Sequence, residues 1–439
     1  MKWKIPSVAI VIALVASMSV AAQAKDAVSA FWQFVKTGDF QSAVASASTL
    51  EKNNNYNEVV AVLYSMLQDQ KSYQIYSFRY TARNNGEDFG AFLKQVARQN
   101  PSANANALVG VTYWEIGERD QAVDYLKKAL ALDSKNPYAL NYLGMTWYQK
   151  DNTKYLEYSL AAIKGKPDLS EAYNNASAAY SALGDSKNAY QMLKNCLSNC
   201  RSPHPNTFYN LLNVVGDSGI GFKNRRDEYT IEATTFVPNG KLDELHALLK
   251  PNPQNYRKML DACLREAMYG ETQYFLNKIK ADGIDVPINY YYAILVFLTK
   301  NDKDYDRFVK QSASREKLTY EDYYQFASNY FQLSDFKHAI EFYKKAQDNL
   351  DPADSIYEMQ TASDMAAAYL SLKDYDTGIG LLRKALSVAP NDFVSLMNLG
   401  RAFRDKGDKK SARKYLQDAY DHADGDEGKA QAKRMLNSL

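Results

Sequence analysis

The 439-residue chain predicts an all-α fold, a solenoid of antiparallel helix pairs stacked in series. Three observations predict it. Residue types recur at one long step: Gly110 with Gly144, Tyr113 with Trp147, Tyr369 with Phe403, and Ala385 with Ala419. Within each step, apolar residues fall three or four apart, as on a helix with one buried stripe. Gly117, Asp151 and Gly184 punctuate the steps between two such stripes. A lone helical pair leaves one greasy face uncovered, so a regular period implies that neighbours stack on it.

The chain opens with a cationic start, Met1-Lys2-Trp3-Lys4, then an apolar run from Val8 to Ala22. Ala22-Gln23-Ala24 places small residues at the −3 and −1 positions of a cleavage site, so 1–24 reads as a secretory signal peptide. The run is short for a membrane span, which needs about 20 apolar residues. The expected location is the periplasm. Removing 1–24 takes two of the 53 basic residues and none of the 51 acidic ones. The remainder is formally neutral, which argues against a nucleic-acid partner. A mean hydropathy of −0.48 and the lack of a second long apolar run exclude a multi-span membrane protein. With 46% hydrophobic and 24% charged residues the chain is built to fold.

Residues 103–136 show the unit in full. Val109 and Tyr113 share one helical face, and Gly117 stops the helix in the left-handed way. Ala122, Leu126, Ala129 and Leu130 then mark a second helix. The small residues Gly110, Ala122 and Ala129 let two antiparallel helices approach closely, and Pro137 opens the next unit. Residues 25–102 read as divergent helical repeats, with Gly38-Asp39-Phe40-Gln41-Ser42-Ala43 in the middle of one. Residues 103–203 form a regular block and 320–439 a second. Between them, 204–319 read as divergent helical pairs with an irregular insertion near 213–240. There Asp227–Pro238 alternates like a strand or extended loop. A small separate domain is the competing reading of 204–319.

At Ala107-Leu108-Val109-Gly110-Val111-Thr112-Tyr113, Gly117-Glu118-Arg119-Asp120-Gln121-Ala122 and Lys128-Ala129-Leu130 the chain resembles the tetratricopeptide repeat family. Leu396-Met397-Asn398-Leu399-Gly400-Arg401-Ala402-Phe403, Gly407-Asp408 and Ala412 make another copy. Good copies span 103–136, 359–392 and 393–425, and Gly378 stands for the usual alanine in one of them. Looser ones span 137–169, 170–202 and 320–350; Leu156 and Ile163 stand where small residues are expected. The resemblance implies that the first helix of each pair lines a concave wall. Carried onto this chain, it offers Trp114, Tyr138, Asn141, Tyr148, Asn174, Tyr324, Phe331, Arg401 and Arg404, with Glu171 beside them in the third copy. Aromatic rings give stiff contact area, asparagine pairs with a peptide backbone, and arginine suits carboxylates. The implied partner is an extended peptide or a partner helix in the cell envelope, bound without catalysis or cofactor. A carbohydrate or peptidoglycan binder is the alternative, because sugars stack on aromatic rings too.

Enzyme motifs fail their own tests. Gly216-Asp217-Ser218-Gly219 matches a serine-protease tetrapeptide, but no histidine precedes His204 in the helical repeats upstream. His204, His246, His338 and His422 are scattered and form no zinc pattern. An enzyme site would have to fall in 204–319, on Asp217, Ser218 or His246. Three cysteines are too few for a disulfide scaffold. A Cys196–Cys200 disulfide is feasible where the helix ends between them; otherwise Cys196 is a small core residue and Cys200 incidental. Cys263 lies in a helical apolar pattern with Leu260 and Leu264 and is expected in the core.

Overall fold

A computed structural model describes residues 27–46, 54–67, 89–216, 240–299, 302–350, 355–423 and 425–439. The signal peptide, the strand-like stretch 227–238, and Asp217 and Ser218 lie outside them. Among the described residues there are 23 helices and no strand. Two compact units divide the chain, Met1–Arg225 and Arg226–Leu439. The first holds α1 (27–37), α2 (Phe40–Ser46), α3 (Asn54–Met66), α4 (Phe89–Gln99), α5 (Ala103–Glu115) and α6 (Arg119–Leu132). It continues with α7 (Pro137–Met145), α8 (Asn152–Gly165), α9 (Ser170–Ala182), α10 (Ser186–Asn199) and α11 (Pro205–Gly216). The second holds α12 (Gly240–Leu249), α13 (Pro253–Arg265), α14 (Tyr269–Asp282), α15 (Ile288–Leu298), α16 (Asp302–Arg315) and α17 (Tyr320–Gln332). Then follow α18 (Phe336–Asp348), α19 (Ser355–Ser371), α20 (Tyr375–Val388), α21 (Phe393–Asp405), α22 (Lys409–Asp421) and α23 (Gly425–Asn437).

Capping chemistry sets the ends. Ser102 accepts a hydrogen bond from the Ala105 amide at 3.2 Å, and Asn136 from that of Ala139 at 3.0 Å, with Pro137 first in α7. The second helix of a pair usually starts on aspartate: Asp151, Asp185, Asp335, Asp374 and Asp408 each accept from the amide three residues on. The tight turn before that cap needs a left-handed residue. Gly117, Gly184 and Gly407 supply it freely, whereas Gln149, Ser334 and Lys373 adopt it at φ of 62°, 61° and 64°.

Packing follows the repeat. Helices pair in sequence as α5 on α6, α7 on α8 and α9 on α10. First helices of neighbouring pairs also touch, α5 with α7 and α7 with α9. In the second unit α15/α16, α17/α18, α19/α20 and α21/α22 pair likewise, and α23 covers α22. A Cβ placed on Gly110 would lie 2.8 Å from Leu126 Cγ, and one on Gly400 2.5 Å from Leu416 Cγ. Those leucines are fully buried, between Ala122 and Ala129 in one pair and Ala412 and Ala419 in the other. Across the same hairpins an aromatic of the first helix stacks on one of the second. The pairs are Tyr113–Tyr125 at 5.6 Å and 15°, Tyr330–Phe342 at 5.5 Å and 15°, and Phe403–Tyr415 at 5.5 Å and 5°.

The looser copy 137–169 is a full hairpin with a shifted register. Its second helix buries Tyr155, Ser159 and Ala162, while Leu156 is half-buried and Leu160 is exposed. The small residues expected at Leu156 and Ile163 are supplied by Ser159 and Ala162 instead. The N-caps Glu118 and Asp151 are 33 residues apart, whereas Gly110 and Gly144 are 34 apart, so α8 starts one position early relative to its first helix. Cys263 is buried, as its pattern predicts.

If the glycine contact sets the spacing within a pair, Gly400→Val should lower the melting temperature, with a cost of about 1–3 kcal/mol from overpacking. Adding Leu416→Ala should make the second change cost less than it does in the parent chain. Additive losses in thermal melts would show that the two positions do not meet.

Candidate functional site

The first helices α5, α7 and α9 lie side by side in the first unit, and asparagine amides tie them together. Asn136 Nδ2 donates to Asn104 Oδ1 at 2.8 Å, Asn175 Nδ2 to Asn141 Oδ1 at 2.9 Å, and Asn210 Nδ2 to Asn174 Oδ1 at 3.2 Å. Asn174 Nδ2 in turn donates to Thr207 Oγ1 at 3.1 Å. Asn141 and Asn174 are buried. Buried amides need partners, and these find them on the next repeat. Tyr138 is buried too, its ring 5.4 Å from that of Phe40. These three positions join neighbouring repeats rather than stand open. The sequence pattern placed them on the right helices but could not say that their polar groups are already engaged.

Trp114 is half-buried, with the Tyr142 ring edge-on at 5.8 Å and the Arg119 guanidinium 3.9 Å from its centroid. Arg119 also donates to the Trp114 carbonyl at 2.6 Å. Tyr148 is 47% exposed in the turn before α8 and packs against Tyr155, not against Trp114. What gathers around Trp114 is therefore Arg119 and Tyr142, with Glu115 bonded to Tyr142 and Glu171 beyond it. The Tyr142 hydroxyl donates to Glu115 Oε1 at 3.2 Å. Burial pushes the Glu115 carboxyl up, moderated by that bond and by Arg119. Glu171, in the first turn of α9, has a buried Oε2 with no hydrogen-bond partner among the described residues. Burial raises its carboxyl to about 7; a hydrogen bond from its own backbone amide and the Lys166 charge oppose this, and the Glu115 charge adds to it. Two carboxylates thus share one neighbourhood with an aromatic pair, and one of them is unsatisfied.

In the second unit the predicted positions are engaged. The Tyr324 hydroxyl donates to the Asp364 carboxylate and accepts from Gln360 Nε2 at 3.0 Å. Phe331 packs edge-on against Phe336 at 5.3 Å. Arg404 pairs with Asp405 at 2.8 Å, and Arg401 lies 3.9 Å from the same carboxylate, so the charge expected there is locally compensated. The buried Asp322 pairs with Arg257 at 2.6 Å, and Tyr291 donates to Asp261 at 2.9 Å, linking α13, α15 and α17. His246 is held between the Tyr256 hydroxyl and Asp282, the latter 3.0 Å from Nε2. Both ring nitrogens are thereby engaged. Among the described residues, no group of three or more His, Cys, Asp or Glu is placed to hold a metal ion. No described helix is long and apolar enough to cross a membrane.

Cys196 and Cys200 are free thiols, both buried at the end of α10, with Cys196 Sγ donating to Cys200 Sγ at 3.5 Å. The helix ends between them, as the feasibility of a bridge requires, since Cys200 is the C-cap. Their shared hydrogen bond lowers one thiol and raises the other.

Tetratricopeptide repeat models match residues 103–136, 170–202 and 323–349, and a further one spans 357–424. The chain carries tetratricopeptide repeats. Among solved structures it is similar to yeast Tom70, at 13% identity and a TM-score of 0.41 over 92% of this chain and 86% of that one. It is also similar to the Cut9–Hcn1 hetero-tetramer of the APC/C, at 12% and 0.35 over 96% and 97%. The TPR2AB domain of yeast Sti1 in complex with pHSP90 matches at 15% and 0.25, over 69% and 97%. No curated protein matches.

Two outcomes check this geometry. A carboxyl raised from 4.5 to about 7 in the fold binds more protons there than in the unfolded chain, so it costs stability as pH rises through that window. Glu171→Gln should therefore stabilise the fold at pH 8 by up to about 3 kcal/mol, read as a higher melting temperature, and change it little at pH 4. Separately, incubation with oxidised glutathione should join Cys196 to Cys200. Thiol titration in denaturant should then find one reactive cysteine, Cys263, in place of three.

Proposed function

We propose that the chain is a non-catalytic scaffold of the bacterial cell envelope, exported by its N-terminal signal, that captures a segment of a partner protein on the first-helix face of its N-terminal repeats. Repeats of this family and an all-α stack of pairs support a protein-interaction role. The observation that carries the finer reading is the Glu171 carboxylate, whose buried Oε2 has no hydrogen-bond partner among the described residues. With Glu115 and the Trp114–Tyr142 pair beside it, the face suits a lysine or arginine next to an aromatic or aliphatic side chain. The cation would satisfy Oε2, and the ring edges would cover its neighbour. The repeat stack holds this arrangement rigid, so little ordering entropy is lost on capture.

Proximity labelling from the envelope fraction identifies the partner, and co-purification with variants tests the face. Glu171→Gln, and separately Trp114→Ala with Tyr142→Ala, should each reduce capture at least tenfold while far-ultraviolet circular dichroism stays helical. Undiminished capture by both variants removes this face from the site.

A further inference from the structure

At the other end of the described chain, the last two helices enclose a cleft that the first-helix reading does not use. It holds about 900 Å³ and lies between α22 and α23. Lys409, Lys410, Arg413 and Lys414 reach it from α22 and Lys433 from α23, over a floor that includes Tyr420 and Leu436. No carboxylate lines it. The four α22 cations fall at i, i+1, i+4 and i+5, which puts them on one helical face, where like charges weaken the helix. The surrounding cations are treated differently by the fold. Arg404 pairs with Asp405 at 2.8 Å and Lys406 with Asp376 at 2.5 Å. Lys409 donates to the Leu439 carbonyl at 2.6 Å, but Lys410, Arg413, Lys414 and Lys433 have no ion pair among the described residues. All five lining cations are exposed, whereas Tyr420 and Leu436 are half-buried.

We propose that this cleft is a second docking site, for an acidic amphipathic segment of a partner protein. The argument is charge complementarity combined with shape. Exposed cations of one sign around a cleft focus a field that attracts carboxylates. The volume lies in the range of ordinary ligand sites, and the Tyr420–Leu436 floor offers an apolar seat that a bare polyanion would not use. Nucleic acid fits less well. The chain has 53 basic residues against 51 acidic ones, and Asp418, Asp421, Asp426 and Glu427 stand on the same two helices. Asp421 already draws the Gln417 amide at 2.9 Å beside the cleft. A long phosphate backbone would run into these carboxylates, while a short segment with glutamates one turn apart would not. A flat lipid surface cannot reach a floor lying between two helices. The site is on the second helix of its pair and in the other unit, so it stands or falls apart from the Glu171 face.

The test uses the full chain and a fluorescein-labelled 16-residue peptide with glutamates at i, i+4 spacing and leucine anchors, read by anisotropy. The triple variant Lys410→Glu, Arg413→Glu and Lys433→Glu should weaken binding at least tenfold, with a melting temperature equal to or above that of the parent chain. A charge-matched control, Lys127→Glu, Lys135→Glu and Lys187→Glu, should weaken it less than twofold. Replacing the peptide's glutamates by glutamine should abolish binding. Equal losses in the two triple variants, or equal binding of the glutamine peptide, overturns the proposal. So does tighter, cleft-dependent binding of phosphatidylserine vesicles or a 20-nucleotide single strand. A dimer in sedimentation that only the cleft variant dissolves would give the site to a second copy and overturn it likewise.

Discussion

The stack depends on how closely the two helices of a pair approach. At Gly110 and Gly400 a first helix has no Cβ, and a leucine of the second helix fills that space. That contact brings Ala122 and Ala129, or Ala412 and Ala419, to zero exposure in the same seam. It also sets the distance at which Tyr113 stacks on Tyr125 and Phe403 on Tyr415. Close packing is unforgiving of an added methyl group, so one spacing is favoured over its neighbours. Once each pair has that spacing, its outer face matches the next pair, and stacking propagates as a nearest-neighbour effect. The pair at 137–165 shows that the constraint acts on space rather than on sequence. Its leucine and isoleucine are rotated off the seam, and Ser159 and Ala162 take their places.

Between pairs, register is held mainly by polar groups. Apolar stripes slide past one another at modest cost, but a buried amide left without a partner does not. The bonds Asn136–Asn104, Asn175–Asn141 and Asn210–Asn174 recur from repeat to repeat and pin each first helix to the next. In the second unit a buried ion pair, Arg257 with Asp322, and the Tyr291–Asp261 bond play that part across α13, α15 and α17. Breaking such a pair leaves a buried charge, which costs more than the intact pair contributes. The same chemistry that the sequence offers as recognition, amides and aromatic rings on first helices, is thus partly consumed in building the scaffold.

That division explains what was legible. The hairpins, their boundaries and their small-residue seams could be read from Gly110, Gly117, Ala122 and Ala129, because local backbone geometry and volume dictate those types. The positions facing the neighbouring repeat could also be read, since the helical period fixes them. Whether Asn141, Asn174 and Tyr138 are free or engaged could not, because the answer lies in residues 33 to 98 positions away. Tyr142 was missed for the opposite reason. It stands outside the expected wall positions, and only contact with Trp114 and Glu115 gives it a role. The cationic cleft left a visible trace in Lys409-Lys410 and Arg413-Lys414, but an unpaired stripe and a solvated helix face look alike in sequence. Arg401 and Arg404 drew attention instead, and Asp405 pairs with both, tightly only with Arg404.

Satisfied and unsatisfied groups therefore separate scaffold from site more sharply than residue type does. Asp322 and Glu171 are both carboxylates on first helices in crowded surroundings. Asp322 caps α17, pairs with Arg257 and is complete. Glu171 has a buried oxygen with no hydrogen-bond partner among the described residues, and its proton is held up to about 7 by burial and by Glu115. The partial positive charge at the start of α9 softens that cost without removing it. The Glu171 backbone amide and the Lys166 charge oppose that rise without cancelling it, so the ionised carboxylate would gain from a further cation brought from outside. The relief then adds to the partner's affinity, because the penalty has already been incurred in the free scaffold. The same reasoning applies with the sign reversed to α22, where crowded cations repel one another until a carboxylate arrives.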